Sequence, residues 1–256
     1  MSRDEAYSKS KEALKKAFAL DSENGEAYAV RADLKSIYEN DLAGTELDYE
    51  RALQISPWSP LVLTAHSVFL YRKGRLEEAL SGMRLLVEID PQDPQNHAFV
   101  GGALYFLRRY DDSIIAYNKA VELDPNFLNA NCMWTVFCLL ARGENDKALE
   151  MAKRLAPIDR WYSIYLSGVI EAVKGNKADA EKYIESLTPS IETVPWAAAV
   201  LFAAMGNRDK ALQNLTRVYN ENRSTLFSAF LTQFFDKYRA DPEFVDLLKK
   251  SGFEFR

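Results

Sequence analysis

Residues 89–125 read IDPQDPQNHAFVGGALYFLRRYDDSIIAYNKAVELDP. Pro91 and Pro125 stand 34 residues apart in it, each behind an apolar residue and an aspartate. Pro57 stands a further 34 residues upstream, behind Ile55-Ser56, and Leu20-Asp21-Ser22 has the same form with serine in place of proline. A fixed period of this length marks a stacked repeat. Between the prolines the apolar residues return at helical spacing: Tyr110, Ile114, Tyr117, Ala120 and Val121 here, and Leu76, Ala79, Leu80, Met83, Leu86 and Val87 one period earlier. Proline then stops the helix, because it has no amide hydrogen and its ring clashes with the preceding turn.

A second register runs through small residues. Gly74 precedes Ala79 by five, and the pairs Gly143 and Ala148, Gly175 and Ala180, and Gly206 and Ala211 repeat the spacing. Glycine accepts the left-handed backbone that ends one helix, and the small alanine lets the next helix approach its partner. Arg108 with Ser113, and Asn40 with Thr45, occupy the same two places in less regular copies. No stretch alternates with a period of two, so the expected fold class is all-α.

This 34-residue helix–turn–helix unit resembles the tetratricopeptide repeat. Pro60 to Pro91 carries Leu63, Ser67, Leu70, Gly74, Ala79, Met83, Leu86 and Pro91 on the motif positions; Pro94 to Pro125 carries His97, Gly101, Leu104, Ser113, Tyr117, Ala120 and Pro125. Tyr28, Ala32, Thr45, Tyr49, Ala52 and Pro57 form a copy with one extra residue. The resemblance implies an α-α superhelix, a single solenoid of about seven repeats over residues 1–256. Its expected parts are an orphan helix in 1–22, six repeats in 24–223, and capping helices in 224–256, the last rich in Phe227, Phe230, Phe234, Phe235 and Tyr238. Asp241-Pro242 reads as an N-cap followed by a first-turn proline. The orphan helix is read either as a natural cap or as the cut edge of a longer protein.

The turn Tyr-Glu-Asn-Asp-Leu-Ala-Gly at 38–44, the proline-poor later repeats and the ending Asp-Pro-Glu-Phe-Val-Asp-Leu-Leu at 241–248 are similar to one subgroup. These are the C-terminal repeat regions of bacterial signalling proteins, behind nucleotide cyclase, winged-helix or kinase domains. No such domain is visible in these residues, so no such activity is assigned to them.

Composition narrows the functions. The net charge is −5 with no clustered Lys/Arg run, which argues against a nucleic-acid partner. No apolar run reaches the roughly 18 residues of a membrane span, and the charged opening is unlike a signal peptide; a cytoplasmic location is expected. Cys132 and Cys138, and His66 and His97, are read as packing residues, so no metal or other cofactor is expected. The acidic pairs Glu77-Glu78 and Asp111-Asp112 open helices, where they favour the dipole. No catalytic set can be assembled, and the expectation is a non-enzymatic protein-interaction module.

Partners of tetratricopeptide solenoids usually lie on the concave face, lined by the first helix of each repeat. The family pattern puts Val68, Tyr71, Arg72, Tyr105, Phe106, Met133, Phe137, Tyr162, Tyr165, Val169, Trp196 and Val200 there. Of five such positions in each of five repeats, only Arg72 is charged. A clamp for a partner's terminal carboxylate needs several cationic and amide side chains, so that mode is not expected. Four readings stay open for this apolar face: a groove for a peptide or protein segment, self-packing in a tight superhelix, a surface for a second copy or for a catalytic domain regulated in cis, and capture of a small molecule or lipid.

Overall fold

The computed structural model describes residues 3–39, 41–188, 190–221 and 226–251. Asn40 and Ser224, named above for a turn and for the start of the capping segment, lie outside them, as does the side chain of Phe227. All regular structure among the described residues is helical. A first helix, α1 (Arg3–Leu20), precedes the hairpins. These are α2 (Gly25–Leu34) with α3 (Leu42–Ile55), α4 (Pro60–Arg72) with α5 (Leu76–Ile89), α6 (Pro94–Phe106) with α7 (Tyr110–Leu123), and α8 (Phe127–Ala141) with α9 (Asn145–Arg154). Next come α10 (Arg160–Val173) with α11 (Lys177–Leu187) and α12 (Pro195–Ala204) with α13 (Arg208–Glu221). The chain then runs through α14 (Leu226–Leu231), a 3₁₀ segment (Gln233–Tyr238) and α15 (Pro242–Ser251).

Local chemistry sets these boundaries. Asn24, Asp41, Asp93 and Asp159 cap α2, α3, α6 and α10, each side chain accepting from a first-turn amide. Asp241 accepts from the amide of Glu243 at 3.0 Å, with Pro242 opening the helix. Gly74, Gly143, Gly175 and Gly206 take φ values of 74–84° in the turns between hairpin helices. Arg108 holds the corresponding place between α6 and α7 with φ 62°, a conformation that costs a side-chain-bearing residue about 1 kcal/mol.

The chain forms two compact units, residues 1–71 with 75–92, and residues 72–74 with 93–256. In the first, Ala29, Ala32, Tyr49, Ala52, Val62 and Phe69 make the core of α2, α3 and α4. Leu14 of α1 packs with Ala27 and Leu34, flanked by Phe18 and Tyr38, so α2 covers one side of the unpaired helix, while Leu20 at its end is 90% exposed. The extra residue of this copy is absorbed in a π turn, Lys35–Glu39, which adds a residue to the helix without breaking its run. That turn leans on α1: Tyr38 stacks on Tyr7 at 4.8 Å, and Glu39 accepts from the Tyr7 hydroxyl at 2.5 Å. Beneath it, Asp48 is nearly fully buried and accepts from Arg31 at 2.6 and 2.8 Å, with Lys35 at 2.8 Å. Burial alone would raise this carboxyl's pKa; the bonds from Arg31 and Lys35 outweigh it and hold it below the ordinary value.

In the second unit the hairpin partners pack on each other, and α6, α8, α10 and α12 lie side by side. Gly101 sits where α6 crosses α7: an added Cβ would meet the Tyr117 ring at 2.8 Å. Gly101→Val is therefore expected to cost about 1–3 kcal/mol through overpacking, read as a lower urea midpoint; an unchanged midpoint would show that Tyr117 can yield. Cys132 and Cys138 are buried, which pushes both thiols to about 12 and leaves them unreactive. His66 is half-buried and lies 5.3 Å from the Tyr49 ring; burial lowers its pKa.

Candidate partner-binding site

The residues expected on the inner face fall into two groups by burial. Tyr105, Phe137, Tyr165, Val169 and Val200 have no accessible surface, and Phe106 and Met133 keep only 7% and 8%. The rings among them meet across the seams between neighbouring first helices, Tyr105 and Phe106 against Trp134 and Tyr165 against Trp196. Tyr162 and Trp196 remain half-buried. On α4, Tyr71 is buried, while Val68 and Arg72 are half-buried. Tyr105, Phe137 and Tyr165, expected on the inner face, are therefore interior in this arrangement.

What closes the seam is the chain's own 3₁₀ segment. With three residues per turn, side chains three apart share a side, and Gln233–Tyr238 has three such sides. Gln233 and Asp236 meet the end of α6: Gln233 accepts from the Tyr105 hydroxyl, and Asp236 pairs with Arg108 at 2.7 Å. Phe234 stands edge-on to Phe137 at 4.9 Å, and Lys237 donates to the Ala203 carbonyl at 2.7 Å. Phe235 turns to α15, where it stacks on Phe244 at 5.9 Å, and Tyr238 packs on Phe235. The Gln233 amide also donates to the Phe137 carbonyl at 2.8 Å, so both its ends are used. Burial raises the Tyr105 pKa well above its ordinary value, which keeps the hydroxyl protonated as the donor. Lys237 meets the C-terminal end of α12, where the helix dipole favours a cation.

Beyond this strap an aromatic row continues. Trp134 touches Phe106 at 5.3 Å and Trp196 at 6.4 Å; Trp196 is 6.5 Å from Tyr165, on which Trp161 stacks at 5.4 Å. Trp134, Trp161, Tyr162 and Trp196 are each half-buried, so the row presents ring surface. Trp134 and Trp161 were missed from sequence because the family's inner-face positions pass beside them. Two open depressions of about 550 and 670 Å³ lie on α10–α11 and on α11–α13, and none of the twelve inner-face residues named above lines either. Among the described residues, no group of three or more His, Cys, Asp or Glu is placed to hold a metal ion. No helix among them is long and apolar enough to cross a membrane.

Residues 96–127, which run from the first turn of α6 through α7 to the start of α8, match the tetratricopeptide-repeat profile. The fold is that of tetratricopeptide repeats. Two solved structures share it: YrrB, described as a tetratricopeptide protein with an unusual peptide-binding site, and pilF of Pseudomonas aeruginosa. YrrB is 20% identical with a TM-score of 0.53, over 78% of this chain and 96% of that one. The pilF structure is 15% identical with a TM-score of 0.52, over 90% and 98%. A small glutamine-rich tetratricopeptide repeat-containing protein 2 of Mycosarcoma maydis is 28% identical over 78 residues, 30% of this chain. That match spans 22% of the relative's length. Tetratricopeptide repeats in general mediate protein–protein contact, and residues 96–127 match one such repeat.

Proposed function

We propose that this chain is a non-enzymatic interaction module of the cytoplasm, the regulatory repeat region of a bacterial signalling protein, and that its second unit holds a peptide or protein segment. The observation that carries the reading is the half-buried aromatic row of Trp134, Trp196, Trp161 and Tyr162 across three neighbouring helices. Tryptophan and tyrosine are enriched among the residues that dominate protein interfaces. The peptide-binding site named for YrrB is consistent with such a use. The signalling context rests on the turn at 38–44 and the ending at 241–248.

A photo-crosslinking residue at Trp196 tests it in the native host, with one at the 68%-exposed Ile115 as control. A discrete adduct is expected from position 196 alone, mapping to one segment of one protein, and falling at least fivefold in a Trp134→Ala background. Equal labelling from both positions, or none from 196, would sink the reading.

A further inference from the structure

Arg108 links two oddities. It is the one non-glycine residue with positive φ among the described residues, at a turn position where four other hairpins use glycine. Its side chain reaches Asp236, 128 residues downstream in the strap. A strained residue persists when something else depends on its side chain, and here that is the seat of the strap.

The seat is specific in chemistry. From the tip of α6 to the end of α12 it offers a hydroxyl donor (Tyr105), a backbone acceptor (Phe137), a ring edge (Phe137), a cation (Arg108) and a helix-end carbonyl (Ala203). The strap answers in order with a carboxamide (Gln233), a ring (Phe234), an acid (Asp236) and an ammonium (Lys237). Four of its six side chains are spent on the seat; of the other two, Phe235 anchors it to α15 through Phe244, and Tyr238 packs on Phe235.

We propose that Gln233–Lys237 is a resident ligand of the groove, and that the partner segment carries the same chemistry, an amide followed at once by an aromatic and, three residues after the amide, by an acid. The strap and the partner then compete for one seat, and the partner binds by replacing it. This rests on the reading that the second unit holds a protein segment.

The test uses the full chain and a fluorescein-labelled synthetic peptide of residues 231–240, followed by anisotropy. The unaltered protein is expected to bind the peptide weakly, because the seat is filled. The double variant Phe234→Ala, Asp236→Ala, with helical content confirmed by circular dichroism, is expected to bind it at least tenfold more tightly. Adding Arg108→Glu should abolish that gain, and a peptide with Asp236→Lys should recover at least threefold of it on the Arg108→Glu protein. A folded double variant that binds no better than the unaltered protein, or a gain indifferent to Arg108→Glu, would overturn the proposal.

Should the double variant fail to fold, Arg108→Gly decides, since it relaxes the turn. Its amides at 233–239 should exchange at least tenfold faster while those of α6 and α8 keep their protection; unchanged exchange there would overturn the proposal. Loss of peptide binding with the Trp196 adduct intact would defeat the resident-ligand inference alone, whereas loss of the adduct as well would remove the reading beneath it.

Discussion

Phe137→Ala is expected to destabilise the second unit by about 3–5 kcal/mol, the usual cost of emptying a fully buried phenylalanine site. Phe137 has no accessible surface and packs against Tyr105, Trp134 and Phe234, drawn from α6, α8 and the strap. Few of these neighbours can close the cavity, because Tyr105 is bonded to Gln233 and Gln233 to the Phe137 carbonyl itself. Three of the four tryptophans, Trp134, Trp161 and Trp196, belong to this unit, and the fourth, Trp58 of the first unit, is exposed, so the urea titration is followed by tryptophan emission in a Trp58→Phe background. Tyr162→Ala, at a half-buried ring, is the control and should cost clearly less. Equal losses for the two variants would mean that the site at Phe137 collapses without a cavity.

The second large effect is expected in the first unit. Asp48→Ala strands the charges of Arg31 and Lys35 beside a buried site. Breaking a buried pair costs about 3–5 kcal/mol; since these cationic side chains keep 38% and 24% of their exposure, solvent takes up part of that. About 2–3 kcal/mol is therefore expected. The sign of the pH dependence follows from the lowered pKa of the folded carboxyl. Stabilisation is fully present above the unfolded aspartate value of about 3.9, and is lost as pH falls through the lower folded value. The gap in stability between the unaltered protein and Asp48→Asn should thus be constant near neutrality and shrink below about pH 4. It can be followed by hydrogen exchange in α2 and α3; a gap that does not change with pH would show that the carboxylate charge does not carry it.

The helical hairpins were legible because their punctuation is local. A glycine, an alanine five residues on and a proline at the end are each required by backbone geometry within one or two turns. Arg108 was legible as the occupant of a glycine position, but not the reason for it, since Asp236 lies 128 residues away and nothing short-range joins them. The strap left no readable trace for a related reason: six residues with a period of three match neither the helical nor the strand pattern. The expected inner-face positions fall on α4, α6, α8, α10 and α12, and their sequence could not distinguish a ring facing a groove from one filling a seam. Burial of Tyr105 and Phe137 depends on Gln233 and Phe234, which a repeat-by-repeat reading treats as part of a cap. Asp48 was passed over because a lone aspartate on an amphipathic helix ordinarily faces water.

The π turn at Lys35–Glu39 has a consequence for how such chains change length. One inserted residue shifts every downstream position by a step in the written sequence, but the wider turn takes up that step before Thr45 and Tyr49 reach their places in the core. Spatial phase is thus conserved where textual phase is broken. Any comparison that assumes a rigid period will lose the first hairpin while the molecule keeps it, and a solenoid can accept single-residue insertions wherever a neighbour, as α1 does here through Tyr7, is ready to brace the swollen turn.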